Sequence, residues 1–144
     1  MKSFVNGPIS TQVITDTILE VNNLSNAGGH SIFLGQIRND PSGNTHVTAI
    51  EYTSYEEMAE GLIEKICSDV QNKFDLSFTR VRHSLGTIRV GELCLFVFTA
   101  APHRKSAIDG CTEIVERIKS EVPIWGKEIL ADQTYQWKVN TGAG

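Results

Sequence analysis

The sequence predicts an α+β fold: a largely antiparallel sheet carrying three main helices, in one domain spanning residues 1–144. Three observations predict it. Apolar residues recur at helical spacing in three separate stretches, and extended runs rich in β-branched and aromatic residues fall between them in pairs. Short turn-forming links join the strands of each pair, which favours hairpins over crossovers. One run, Leu93-Cys94-Leu95-Phe96-Val97-Phe98, is almost wholly apolar, the pattern of a strand covered on both faces.

Thr15 or Asp16 can cap a first helix running to about Asn26, with Ile18, Val21 and Leu24 inward. His30 to Arg38 and Val47 to Ser54 read as strands. The segment between them, Asn39-Asp40-Pro41-Ser42-Gly43-Asn44, is dense in turn formers, so the two strands are expected to form a hairpin. Tyr55 to Phe74 is the longest helix. Met58, Leu62, Ile66, Val70 and Phe74 recur every fourth residue, with Ala59, Ile63 and Cys67 beside them. Ser77 to Ser84 and Glu92 to Ala100 are the next strands. The third helix runs from Arg104 to Glu121. A last hairpin pairs Ile124–Leu130 with Tyr135–Val139 around Ala131-Asp132-Gln133-Thr134, and the chain from Thr141 to Gly144 is expected to fray.

Composition narrows the function. The net charge of −4 argues against a broad nucleic-acid surface, which needs a basic surplus. No apolar run approaches the length of a membrane helix, and Met1 to Ser10 lacks the apolar core of a signal peptide. The expected location is therefore the cytoplasm. Three cysteines, at 67, 94 and 111, form no CxxC pair, and four scattered histidines show no ligand spacing. Neither a metal site nor a cofactor is expected. All three cysteines fall on apolar faces, which favours inert thiols over nucleophiles.

The stretch from Ala100 to Glu128 concentrates the chemistry. Ala101-Pro102-His103-Arg104 marks the handover from a buried strand to the third helix. Free backbone N–H groups and the helix dipole there favour an anion, and His103 and Arg104 add donors. A plain helix start with two solvated side chains explains the same residues. On a wheel of about 100° per residue, Ala107, Ile108, Cys111, Ile114, Val115 and Ile118 share one arc. Arg104 lies inside that arc and Lys119 at its edge. Lys105, Asp109, Glu113, Glu116 and Arg117 lie opposite, where Glu113 and Arg117 can pair. Lys119 either snorkels to water or stands as a partly desolvated amine suited to proton transfer. Arg104 and Lys119 are separated by about 22 Å along one helix. One small ligand cannot touch both from one chain, which predicts two sites or a site shared across a homodimer. Arg38 closes a strand at the turn-rich loop, solvated or poised for an anion, and Gly35 allows close approach beside it.

Read together, the segments resemble the large, catalytic subunit of molybdopterin synthase. Those carrying the resemblance are Phe33-Leu34-Gly35-Gln36-Ile37-Arg38-Asn39, Ile50-Glu51-Tyr52 with Tyr55-Glu56-Glu57-Met58-Ala59, Arg82-His83-Ser84-Leu85-Gly86, Ala101-Pro102-His103-Arg104-Lys105 and Lys119-Ser120-Glu121-Val122-Pro123-Ile124-Trp125. They keep family order from about residue 28 to 139. The resemblance implies an α/β hammerhead-like fold and a sulfurtransferase of molybdenum cofactor biosynthesis. Sulfur would pass from the thiocarboxylated C-terminus of a small ubiquitin-like carrier to cyclic pyranopterin monophosphate, giving the dithiolene of molybdopterin. The implied assembly is a heterotetramer around a homodimer, without nucleic acid or membrane. Lys119 falls on a family catalytic lysine. Gln36, Ile37, Arg38, His103 and Arg104 fall on substrate-binding positions, as do Lys119, Gly126, Lys127 and Glu128.

One position departs from the family. Members usually carry a lysine directly after the tryptophan, where this chain has Gly126. In a regular strand Lys127 would point away from the pocket, whereas a bulge at Gly126 would turn it inward. Lys127 is accordingly expected to substitute as a second catalytic group. The competing expectation is a non-catalytic dimeric relative that binds a pterin or phosphate and docks a ubiquitin-like partner.

Overall fold

Ser10, rather than Thr15 or Asp16, starts the first helix. Its extended backbone and its hydroxyl, which accepts from the Gln12 N–H at 3.1 Å, satisfy an N-terminal donor and set α1 at Thr11–Val21. The computed structural model describes residues 2–139; the expected frayed end, Thr141 to Gly144, lies outside the described residues. Upstream of α1 is a short strand not anticipated from the sequence, β1 (Phe4–Asn6). The remaining elements are β2 (Gly29–Gln36), β3 (Pro41–Ser42), β4 (Thr45–Ser54), α2 (Glu56–Phe74), β5 (Phe78–Arg89), β6 (Leu93–Ala101), α3 (Arg104–Glu121), β7 (Ile124–Leu130) and β8 (Tyr135–Trp137).

The main path of the eight-stranded sheet is β2-β6-β5-β4-β7-β8, antiparallel throughout. β1 joins β5 in parallel. The expected hairpin of residues 30–38 with 47–54 does not form. β2 pairs along its whole length with β6, from Gly29↔Ala101 to Gln36↔Leu93, and the turn-rich loop instead folds the two-residue β3 onto β4. The all-apolar β6 thus sits inside the sheet, where its backbone has partners on both edges and its side chains meet protein on both faces. Leu95, Val97 and Ala101 join the larger core under α2 and α3. Phe96, Phe98 and Ala100 point the other way, to α1, Ile9 and Val21.

β5 changes partner along its length: Phe78–His83 pairs with β6, and Gly86–Arg89 pairs with β4. Gly86, at φ +88°, supplies a bend there that an L side chain would resist. The two halves of the sheet meet at this bend, with Tyr52 of β4 opposite Gly86.

α3 packs on β2, β6 and α2. Ala107, Gly110, Cys111, Ile114, Val115 and Ile118 are its buried face, while Ile108, assigned to the same arc, is 51% exposed at its margin. α2 buries Ala59, Ile63, Ile66 and Val70, so its inward stripe is rotated from the one predicted and Met58 is exposed. Glu113 pairs with Lys73 of α2 at 2.7 Å rather than with Arg117, which holds Glu121 and reaches Asp69 of α2. These pairs tie the outer faces of α2 and α3 together and leave the C-terminal turn of α3 directed at the sheet.

Candidate active site

A cavity of about 800 Å³ opens where the last turn of α3 meets the bend of the sheet. Its walls come from β2 and the loop after it (Phe33 to Arg38, Asp40), β4 and β5 (Ile50, Tyr52, His83), the α3 end (Ile118 to Ser120) and β7 with the chain after β8 (Ile124 to Gly126, Glu128, Lys138). The volume lies within the usual range for small-molecule sites.

Lys119 enters this cavity from the last turn of α3, where the helix dipole favours a cation. Val122 adopts an extended conformation and caps the helix through its N–H to the Ile118 carbonyl, and Pro123 prevents continuation. The Ser54 hydroxyl donates to the Pro123 carbonyl at 2.8 Å and anchors the exit to β4. Lys119 is therefore half-buried at a fixed point. Burial lowers its pKa from the ordinary lysine value, the positive charges of Lys138 and Arg38 add to that, and Cys94 and Glu116 oppose it.

The floor is a buried polar cluster. The Tyr52 hydroxyl donates to Cys94 Sγ at 3.7 Å, and the Tyr52 ring meets His83 edge-on, centroids 5.0 Å apart. His83 Nδ1 lies 2.8 Å from the Ser84 carbonyl oxygen. A carbonyl only accepts, so Nδ1 carries the proton and Nε2 holds a lone pair. Burial lowers the His83 pKa to about 4, keeping the ring neutral at pH 7. Burial also raises the pKa of Tyr52 and of all three cysteines, so the thiols remain protonated. Among the described residues no group of His, Cys, Asp and Glu is arranged to hold a metal ion.

The structure brings together some of the residues singled out above and separates others. Gln36, Ile37, Arg38, Lys119, Gly126 and Glu128 all line the cavity. A register shift between Gly35 and Gln36 re-aims the end of β2, Ile37 is buried, and Arg38 emerges at the rim paired with Asp40 (Nε to Oδ1 3.1 Å). That pair is largely exposed, so an incoming anion can compete for Arg38 at little energetic cost.

His103 and Arg104 do not line the cavity. They stand exposed at the opposite end of α3, about 22 Å of helix away. The step they occupy is nonetheless held firmly. The Gly28 N–H bonds the Ala101 carbonyl at 2.8 Å, and Gly28 and Gly29 lie against the backbone of Pro102 and Arg104. The glycine pair is a close-packing site.

Lys127 corrects the expectation of a bulge. Pairing of β7 with β4 is one-to-one from Ser54↔Ile124 to Ala49↔Ile129, and the only irregularity lies between Val47 and Ala49. Lys127 therefore projects from the face opposite Gly126. It pairs with Glu51, its cross-strand neighbour, at 3.1 Å and lies over the Tyr135 ring.

The model for the MoaE protein family matches residues 5–121. The chain belongs to the MoaE family. Among named relatives, the molybdopterin synthase catalytic subunit of Drosophila grimshawi is 37% identical over 135 residues, 88% of this chain. The chain spans only 37% of that relative's length. Molybdopterin synthase from Staphylococcus aureus has the same fold, with TM-score 0.84 and 28% identity over 96% of both chains. A complex of subunits 1 and 2 of the molybdopterin-converting factor from Helicobacter pylori contains a chain of like fold, TM-score 0.79 at 19% identity, covering 96% of this chain and 90% of that one. Within this MoaE-family fold, sequence reasoning missed His83, Tyr52 and Lys138 at the cavity. His83 and Tyr52 lay within family-like segments, but no local signal told that the sheet bend would gather them.

Proposed function

We propose that this chain transfers sulfur from the thiocarboxylated C-terminus of a small ubiquitin-like carrier to cyclic pyranopterin monophosphate. Two transfers would build the dithiolene of molybdopterin, in a cytoplasmic heterotetramer whose core is a dimer of this chain. The observation carrying this reading is Lys119: a half-buried amine with a lowered pKa at the wall of a cavity of substrate size. Such a group can move a proton, or stabilise the anion formed as the thiocarboxylate attacks. Arg38 at the rim is suited to the phosphate, and Gln36, Ile37, Gly126 and Glu128 shape the surrounding wall.

His103 and Arg104 serve the same substrate only if a second copy of the chain presents them. Their distance from Lys119 along α3 supports a shared site. The carrier brings the sulfur as a thiocarboxylate, so the reaction requires no enzyme thiol, in keeping with three protonated cysteines. Reconstitution tests the proposal. The protein mixed with thiocarboxylated carrier and pyranopterin substrate should yield dithiolene, with product lost in Lys119→Ala and kept in Lys105→Ala. Equal product from both variants would refute the assigned role.

The second reading is a binding-only relative, favoured by Lys127 projecting away from a cavity whose wall has glycine at 126. It predicts tight pterin binding without dithiolene from the unmodified protein.

A further inference from the structure

The place of a side chain at 126 is taken by another residue. β8 pairs with β7 in the order Ile129↔Tyr135, Glu128↔Gln136, Lys127↔Trp137. The next cross-strand pair is Gly126 with Lys138, and the Lys138 N–H donates to the Gly126 carbonyl at 2.8 Å. Cross-strand partners share a face of the sheet. Tyr52, opposite Gly126 on β4, therefore lies in one row with Gly126 and Lys138 on the cavity side, while Glu51 and Lys127, which do not line the cavity, lie in the next row.

Gly126 lets that row pack closely, with Ile50, Tyr52 and the Lys138 stem drawn in over its Cα. A Cβ there would lie 3.0 Å from Ile50 Cγ2, 3.3 Å from Tyr52 Cε1 and 3.6 Å from Lys138 Cβ. Lys138 lines the cavity together with Lys119, and its charge acts on Lys119, His83 and Cys94. Two ammonium groups facing one cavity repel, and a bound anion between them removes that repulsion. On the same wall Asp40 pairs with Arg38, and Glu128 accepts from the Gln136 amide at 2.8 Å.

We propose that Lys138 is a substrate-contacting residue, its ammonium and that of Lys119 closing on one anionic group of the ligand bound in the cavity that both line. This rests on the sulfur-transfer reading above and adds a contact residue to it. The lysine is supplied by the chain after β8 rather than by β7.

The test uses the reconstituted assembly with carrier and pyranopterin substrate. Lys138→Ala should lose roughly ten- to a hundredfold in kcat/KM, the scale of one charge-assisted contact. Lys138→Arg should recover most of it, and Lys105→Ala should match the parent. Should Lys138→Ala unfold, Lys138→Met keeps the stem without the charge. Lys138→Ala within twofold of an active parent overturns the proposal. An inactive parent instead refutes the assigned reaction, and titration calorimetry with the pyranopterin phosphate then decides: weaker binding by Lys138→Ala supports the contact, equal binding overturns it.

Discussion

Replacing Gly28 by alanine should damage this protein well out of proportion to one methyl group. The added Cβ would lie 2.2 Å from the Pro102 carbonyl oxygen and 3.2 Å from its carbon. That oxygen contact is about 1 Å too short for ordinary C···O packing. Both partners are backbone, so no rotamer relieves the clash, and separating them strains the 2.8 Å bond from the Gly28 N–H to Ala101. Overpacking of this kind costs about 1–3 kcal/mol and a weakened hydrogen bond about 1 kcal/mol. Gly28 is not at positive φ, so alanine returns about 0.5 kcal/mol through the unfolded chain. The net loss is about 1.5–3.5 kcal/mol, or roughly 5–15 °C in Tm. Gly61, exposed in α2 with nothing within 4 Å of an added Cβ, is the control. There alanine should stabilise by about 0.5–1 kcal/mol. Thermal unfolding followed by circular dichroism measures both. A Gly28→Ala protein melting within about 1 °C of the parent would refute the close packing that holds the His103–Arg104 step.

Acid sensitivity should trace to His83. Its folded pKa, about 4, lies below the ordinary 6.5, so the unfolded chain binds the extra proton between those values. Stability is therefore complete above pH 6.5 and falls as pH drops toward 4, by roughly 3 kcal/mol in all. Urea unfolding of the parent and of His83→Gln at pH 7 and pH 4.5 reads this directly; an unchanged pH slope in the variant would count against it. Lys127→Ala should retain dithiolene formation and lose about 0.5–1 kcal/mol of stability through the Glu51 pair and the Tyr135 contact. A large drop in turnover without unfolding would return Lys127 to the site.

Local pattern sufficed where neighbours in sequence decide the outcome. α3 spans Arg104–Glu121 and β7 spans Ile124–Leu130, as predicted, because apolar spacing and Pro102 and Pro123 mark their limits. β6 was legible as doubly covered because every side chain in it is apolar or small. The partner of β2 was not legible, since nothing in residues 29–36 records that the other strand lies some 60 residues on in β6 rather than next in the chain. At the site, helix phase put Lys119 at the edge of the apolar arc and left open whether it snorkels to water; the folded cavity wall makes it half-buried. The absence of a bulge at Gly126 depends on the register with β4, and the meeting of Lys138 with Gly126 on the register with β8. Neither register is written in a short window of sequence.

The proposed active site is assembled from two copies: the Lys119 cavity of one chain and the His103–Arg104 step of another. Subunit mixing tests it most directly. Lys119→Ala and Arg104→Ala proteins, each inactive alone with thiocarboxylated carrier and pyranopterin substrate, are unfolded together, refolded and assayed. A shared site predicts that activity returns, because half of the mixed dimers' sites carry both intact residues. A mixture as inactive as its components would contradict it.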